Sequence, residues 1–216
     1  MSDNSVFNLP HQLKLYIEPI PSLDSLIATA PNEDIALLNE ITSSSRKAEI
    51  LATRQLLRNL FGPNATLCHH PNGSPYLHNN PIHISISHCA THIAIATHPT
   101  QRIGIDIETW RPTLERVKEK FLTPDEIATY NTPELLLQAW TAKEAIYKAA
   151  RISGLSLLDI KLPINPSAPN NIQRLNTLHH NPEPTTAPAI ATISRHNAQF
   201  TLHHLQSPHA TITIAI

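Results

Sequence analysis

The fold is decided by residues 82–108, which read IHISISHCATHIAIATHPTQRIGIDIE. The segments 82–87 and 103–108 place isoleucine at every second position, and the segment 92–97 between them is short and mostly apolar. Because side chains of a strand point alternately to its two faces, this alternation predicts strands with one buried face. The connections are short, so we expect an antiparallel three-stranded meander.

Helices are predicted on both sides of this meander. Upstream, a helix is expected over about 45–61, with serine before it as the N-cap and Gly62 after it as the stop. Downstream, Thr123 and Thr132 are each followed by proline, which is the usual pairing of an N-cap with the first helical position. The second of these helices is expected to reach about Ala150.

The rest of the chain completes the predicted architecture. Residues 199–205 and 210–216 alternate again and are predicted to be closing strands. The stretch 163–188 is rich in proline and asparagine, which predicts an irregular loop. Runs of strands and runs of helices, without a regular alternation of the two, place the fold in the α+β class.

Composition excludes several classes of protein. Of 216 residues, 41% are apolar and 15% are charged, which is typical of a globular protein. The formal net charge of −1 argues against general electrostatic binding of nucleic acid. No segment approaches the roughly 20 apolar residues of a membrane helix, and we expect neither a signal peptide nor a membrane partner. Cys68 and Cys89 match no metal or disulfide pattern, so we expect two reduced thiols in a cytoplasmic protein.

Two acids follow a glycine on the last predicted strand. Asp106 and Glu108 lie two residues apart, so they project from one face, opposite the isoleucines. Taken alone, an Asp-x-Glu pair is more often an ordinary solvated strand face. However, Gly104 lies on the same face, and glycine inside a strand indicates that something approaches the backbone closely. We interpret that approach as the first sign of a ligand.

A third acid lies on the last predicted helix. Glu144 is flanked by Lys143 and Lys148, and Trp140 lies one turn before it. One interpretation is a surface ion pair, which stabilises little. The other is a third carboxylate for a metal ion, with lysines beside it to meet phosphate oxygens. Ligands of this kind suit magnesium, which prefers a few carboxylates together with substrate phosphates and water.

Glu126 admits two interpretations. Thr123 and Glu126 have the spacing of a capping box, which is a complete structural explanation for the acid. The alternative is that Glu126 acts as a general base. The two roles are compatible only if the cap does not hold the side chain.

Four motifs follow one another along the chain: the end of the first strand at Ser87-His88, the Gly-x-Asp-x-Glu strand at Gly104–Glu108, the segment Phe121–Glu126 and the motif Trp140–Lys148. Together they resemble the surfactin-synthetase-activating type of 4′-phosphopantetheinyl transferase. The resemblance runs from about residue 46 to 157. It implies two similar α/β halves, residues 1–101 and 102–216, which a pseudo-two-fold axis relates, with coenzyme A in the cleft between them.

The resemblance also implies an activity, that of an enzyme of the holo-(acyl carrier protein) synthase type. It would transfer the 4′-phosphopantetheine group from coenzyme A to a serine of an apo acyl, peptidyl or aryl carrier protein and release 3′,5′-ADP. The expected partner is therefore a carrier protein, and an internally duplicated chain is expected to work as a monomer.

Site residues follow from the same resemblance. Magnesium would be held by Asp106, Glu108 and Glu144. Glu126, directly or through water, would take the proton of the carrier serine, with Lys143 as the second catalytic residue. Coenzyme A would be bound by Ser87, His88, Lys143, Lys148 and an arginine of the first long helix, with Arg46 preferred to Arg54.

The carrier protein is expected to be acidic, and the basic residues after the metal strand are candidates for its contact. They are Arg111, Arg116 and Lys120. A solvated helix face explains these residues equally well.

The chain departs from the family pattern at one position. Ser74 occupies the middle of a Gly-x-Pro turn in which the family commonly has lysine, so one phosphate contact is missing. Two alternatives to the transferase stay open. One is another magnesium-dependent hydrolase of nucleotides or diphosphates, and the other is a non-catalytic homologue that binds carrier proteins.

Overall fold

The computed structural model describes residues 5–164, 173–174, 189–207 and 210–216. The first part of the chain forms β1 (Ser5–Asn8), β2 (Lys14–Pro19), α1 (Leu23–Thr29), α2 (Asn32–Ala36), α3 (Ser44–Phe61), β3 (Leu67–His69), β4 (Pro75–Leu77), β5 (His83–His88) and β6 (His92–His98). The second part forms β7 (Gly104–Glu108), α4 (Thr113–Val117), α5 (Pro124–Thr129), α6 (Pro133–Ala150), β8 (Ile160–Lys161), β9 (Gln173–Arg174), β10 (Ala189–Ile193), β11 (Ala198–Gln206) and β12 (Thr211–Ala215).

The strands form two main sheets. The first has the order β1-β2-β6-β5, and the second has the order β7-β12-β11-β10-β8 with β9 parallel to β11. All other strand pairs are antiparallel, and β3 with β4 forms a separate ribbon. The predicted mixture of helices and antiparallel sheets is confirmed. The first sheet draws its strands from residues up to His98, and the second begins at Gly104.

The predicted meander is correct for two of its three strands. β5 and β6 form an antiparallel hairpin, with Ile86 opposite Ile95. β7, in contrast, pairs with β12, where Asp106 lies opposite Thr213. The third strand therefore starts a new sheet, because its partner comes from the far end of the chain, and no local alternation can show that.

Both long helices begin and end as their sequences predict. The Ser43 hydroxyl accepts from Arg46 N at the start of α3, which ends at Gly62 with φ +97°. The Thr132 hydroxyl accepts from Leu135 N at the start of α6. These caps satisfy backbone groups that the helices leave unpaired.

β7 is covered on both faces. Its isoleucines belong to an apolar core that both sheets share, together with Leu15, Ala94 and Ile212. Its other face lies against α6, which packs along the second sheet. The alternative of a solvated strand face is therefore wrong for Asp106, because α6 covers that face.

Within the described residues, no helix combines the length and the apolarity that a membrane crossing requires. Most of the predicted irregular loop at 163–188 lies outside the described residues. At its start, the Tyr130 hydroxyl donates to Pro163 O at 2.9 Å.

Candidate active site

Gly104 is required by α6. A Cβ at this position would lie 1.9 Å from Ala145 O and 2.7 Å from Ala149 N. The strand and the helix can approach this closely only because glycine has no side chain. The close approach that the sequence predicts is real, but the helix backbone makes it, and not a ligand.

This approach brings Asp106 to the side of α6 that carries Lys148. The Asp106 Oδ1 atom accepts from Lys148 Nζ and from Ser87 Oγ, both at 2.8 Å. Lys148 Nζ also donates to Ile105 O at 2.9 Å and to Ser87 Oγ at 3.1 Å. Three predicted site residues from β5, β7 and α6 therefore meet at one point.

Glu144 lies close enough to Asp106 for the two charges to repel each other. Burial raises the pKa of Glu144 above its usual value, and the Asp106 charge raises it further. The Lys148 ammonium opposes this rise in pKa. Two partly desolvated carboxylates of this kind are unfavourable without a cation, and one lysine relieves the repulsion only in part.

Glu108 does not join the other two acids. Its Oε2 atom lies 2.8 Å from Arg111, and its Oε1 atom accepts from Thr109 N at 2.9 Å. The last residue of β7 adjoins the turn toward α4, so its side chain finds partners within that turn. Across the described part of the chain, no three His, Cys, Asp or Glu side chains are grouped closely enough to form a metal site.

Glu126 and Lys143 form a buried ion pair at 2.7 Å. Glu126 Oε2 also accepts from Thr123 N, which completes the capping box, and its Oε1 accepts from Leu162 N. Lys143 is fully buried, and its Nζ also donates to the carbonyls of Ile160 and Leu157. The geometry shows a structural role for both residues, and their catalytic roles stay predictions.

A cavity of about 720 Å³ opens beside Lys148. Its walls come from α3, the turn between β3 and β4, β5, and the end of α6 with residues 151–154. Among the described residues, the basic side chains on these walls outnumber one acid, Glu49; they are Arg46, Arg54, His69, His88, Lys148 and Arg151. Such a cleft suits an anionic ligand with several phosphates.

The two predicted arginines of α3 differ in their partners. Arg46 NH1 lies 3.0 Å from Glu49 Oε2 and 3.1 Å from His88 Nε2 at the cleft. Burial lowers the pKa of His88, Arg46 lowers it further, and Glu49 opposes this. Arg54 instead pairs at 3.3 Å with Asp34, whose side chain is 2% exposed.

The predicted carrier surface lies outside the cleft. Arg111, Arg116 and Lys120 are exposed, and Trp110 beside them is also exposed. Arg111 holds Glu108, and Arg116 donates to Thr113 Oγ1 at 3.3 Å. This surface therefore lies directly after β7, the strand that carries Asp106 and Glu108.

Three charged residues around the cleft are not identified from the sequence, because their neighbours along the chain give little indication of a role. Asp34 pairs with Arg54 and also lies 2.6 Å from Arg58. Both partners are 20 or more residues away along the chain, so no local pattern predicts these pairs. Glu49 follows Arg46 by one helical turn. Arg151 follows the last residue of α6, at a position where glycine or asparagine is usual. An arginine at such a position could have indicated a functional role.

Two comparisons with known proteins bear on this site. The model of the 4′-phosphopantetheinyl transferase superfamily matches residues 102–213. A relative from Nostoc sp. (strain PCC 7120), the 4′-phosphopantetheinyl transferase HetI, is 25% identical over 175 residues, which is 72% of this chain and 74% of that protein. The family match includes β7, α5 and α6, and therefore Asp106, Glu108, Glu126 and Glu144.

Proposed function

The chain belongs to the 4′-phosphopantetheinyl transferase superfamily, and on that premise we propose that it transfers 4′-phosphopantetheine from coenzyme A to a serine of an apo carrier protein, releasing 3′,5′-ADP. The superfamily and the relative support transfer to a carrier protein. We propose four further details: coenzyme A as the donor, magnesium as the metal, a serine as the acceptor, and a subtype. The subtype is the surfactin-synthetase-activating or the holo-(acyl carrier protein) synthase type.

The observation that carries this proposal is the basic cleft beside paired carboxylates. Coenzyme A bears a diphosphate and a ribose phosphate, and the cleft walls present Arg46, Arg54 and Lys148 to such a ligand. Lys148 lines the cleft and also bonds Asp106. A ligand in the cleft would thus bring its phosphates to the edge of the acidic pair.

Two of the three predicted carboxylate ligands support the proposed magnesium ion. Asp106 and Glu144 are two oxygen donors whose mutual repulsion a cation would relieve, and magnesium is commonly held by one or two carboxylates with substrate phosphates. Glu108 is the proposed third ligand, which requires it to leave Arg111. When bound, the ion would neutralise charge on the diphosphate.

The side chains of the cleft would bind and orient the donor. His88 and Lys148 on the cleft walls, with Ser87 bonded to Lys148 behind them, would hold the phosphates, so that the phosphorus next to pantetheine faces the carrier serine. Glu126 is the proposed proton acceptor, although it has to exchange one of its three present donors for the substrate hydroxyl. Lys143, its ion-pair partner, would regulate that exchange.

Three broader features are also part of the proposal. Each half contributes one sheet and one long helix, α3 or α6, which supports a pseudo-two-fold relation between residues 1–101 and 102–216. A single chain supplies both walls of the cleft, which supports a monomer. Cys68 and Cys89 are free, which is in keeping with a cytoplasmic location.

The carrier protein would bind at the exposed basic surface beside β7. An acidic carrier surface would meet Arg111, Arg116 and Lys120, and Trp110 offers an apolar contact. Replacing Arg116 by Glu should raise the KM for the carrier protein and leave that for coenzyme A unchanged. An unchanged carrier KM would remove this surface from the proposal.

The direct test is the mass of an apo carrier protein after incubation with coenzyme A and magnesium. A transferase adds phosphopantetheine to the carrier, whereas a hydrolase or a non-catalytic binder leaves its mass unchanged. Asp106→Ala and Glu144→Ala should lower the transfer rate at least about 100-fold with the fold intact. Turnover like that of the wild type in either variant would refute the metal assignment.

A further inference from the structure

Arg151 occupies a backbone conformation that is unusual for its residue type. It ends α6 in the left-handed region, with φ 52° and ψ 33°. Glycine is the usual residue at this place, and other residues without a local reason pay a conformational cost. Strain of this kind is frequent where a side chain is needed for a ligand.

The Arg151 side chain has an unused donor. Its Nε atom is buried and has no hydrogen-bond partner within the part of the chain that the structure describes. A buried donor without a partner is costly, and each such group requires an explanation. Arg151 also lines the cleft, in common with Gly73, Ser74 and Pro75.

The neighbours of Arg151 are basic. Burial lowers the pKa of Arg151, and the nearby charge of Arg102 lowers it further. Burial also lowers the pKa of His83, and both arginines act in the same direction. Two guanidinium groups near each other are unfavourable until an anion lies between or beside them.

The position of Arg151 along α6 indicates which phosphate of the ligand it would contact. Glu144 and Lys148 precede it by seven and three residues, so at 1.5 Å per residue Arg151 lies about 10 Å beyond the acid. The diphosphate belongs beside the carboxylates in the proposed function. The phosphate that remains for the far end of α6 is the ribose phosphate.

We propose that Arg151, with Arg102 beside it, binds the ribose 3′-phosphate of coenzyme A and selects donors that carry it. This inference rests on the proposed function, because that function names the ligand. Arg151 would supply a charge that the turn at Ser74 lacks. A guanidinium suits the task, since its planar fork meets phosphate oxygens with two hydrogen bonds.

The test measures binding of 3′,5′-ADP and 5′-AMP, which differ only in the 3′-phosphate, by calorimetry. Wild-type protein should bind 3′,5′-ADP more tightly, by roughly 10- to 100-fold, as expected for charge-assisted bonds. Arg151→Gln should reduce this ratio to near one, and Arg151→Lys should retain part of it. Arg195→Gln, at a residue whose side chain is 80% exposed and outside the cleft, should keep the wild-type ratio.

Arg151→Gly separates a ligand role from a structural one. Glycine removes the backbone strain, so the melting temperature should stay or rise, while the preference for 3′,5′-ADP should disappear. The proposal is overturned if wild-type protein shows no preference for the 3′-phosphate, or if Arg151→Gln or Arg151→Gly keeps it. Failure of the transferase assignment would look different: no carrier would gain mass, while the Arg151-dependent preference would persist.

Discussion

At the scale of single residues, Gly104 determines how the site is assembled. Its missing side chain allows β7 and α6 to touch through their backbones, with a hypothetical Cβ only 1.9 Å from Ala145 O. This contact places Asp106 next to Lys148 and within electrostatic reach of Glu144. One small residue therefore fixes the distance between the strand and the helix that carry the acids.

Gly104→Ala should lower the free energy of unfolding by about 3 kcal/mol or more, because backbone atoms on a packed helix cannot move aside cheaply. Urea unfolding measures the change. Gly73→Ala is the matched control: nothing lies within 4 Å of its added Cβ, and only φ +82° opposes it. That control should cost about 1 kcal/mol. Equal losses in the two variants would contradict the contact.

At the scale of elements, α6 presents different faces to the core and to the cleft. Lys143 points into the core toward Glu126, and Trp140 packs edge-on against Phe121 with ring centroids 5.0 Å apart. Lys148 points to the cleft and Asp106. The motif that carries the family resemblance thus serves packing on one side of the helix and chemistry on the other.

Glu126→Gln should lower the free energy of unfolding by about 3 kcal/mol, because it leaves the fully buried Lys143 ammonium without its counter-charge. Thr123→Ala, which disturbs the same cap but not the ion pair, should cost only about 1 kcal/mol. Chemical denaturation measures both. If Glu126→Gln leaves stability unchanged and slows transfer, the proton-acceptor role is correct and the structural one is not.

A chain of hydrogen bonds links the second sheet to α6. The Thr141 hydroxyl donates to Gln138 O, so it accepts from Thr213, whose hydroxyl lies at 2.8 Å. Thr213 in turn accepts from His204 Nδ1 at 2.9 Å, which fixes the proton on that nitrogen. Burial, and to a lesser degree the nearby His203, lowers the pKa of His204 to about 4.

His204 should make folding sensitive to acid. Its pKa is lower in the folded than in the unfolded protein, so between pH 6.5 and about 4 only the unfolded state binds the proton, and stability falls as the pH falls. We expect a loss of about 3 kcal/mol over this range. Unfolding by urea at several pH values should show a flatter profile for His204→Gln than for wild type. The exposed His196→Gln is the control, and an unaltered profile for His204→Gln would contradict the assignment.

At the scale of the whole molecule, side chains join the two sheets where β5 lies beside β7. Ser85 Oγ accepts from Ile105 N at 3.0 Å, and Ser87 Oγ donates to Asp106. Lys148 satisfies the carbonyl of Ile105. Because Ser85 and Lys148 also line the cleft, the groups that join the two parts of the chain are those that surround the proposed ligand.

Ser85→Ala should therefore weaken both the fold and the site. It leaves the buried amide of Ile105 without an acceptor, which costs about 1 to 3 kcal/mol. Thermal unfolding and the dissociation constant for coenzyme A measure the two effects. Ser45→Ala, an exposed position in the first turn of α3, should change neither. Unchanged stability in Ser85→Ala would show that the junction does not depend on this bond.

Local patterns in the amino-acid sequence predict those elements that are stabilised by residues close to them along the chain. The ends of α3 and α6, the capping box at Thr123 and the alternation of β5 to β7 depend on neighbours along the chain, so local patterns predict them. The four motifs also predicted the superfamily, 4′-phosphopantetheinyl transferase.

The partner of each charged side chain depends on how the elements pack together. The tertiary structure joined β7 to β12, buried Lys143 against Glu126, gave Arg54 an internal partner in Asp34 and left Arg151 facing the cleft. Burial and pairing depend on residues that are distant along the chain. A carboxylate or an ammonium group therefore looks the same in the sequence whether it stabilises the core or binds a ligand.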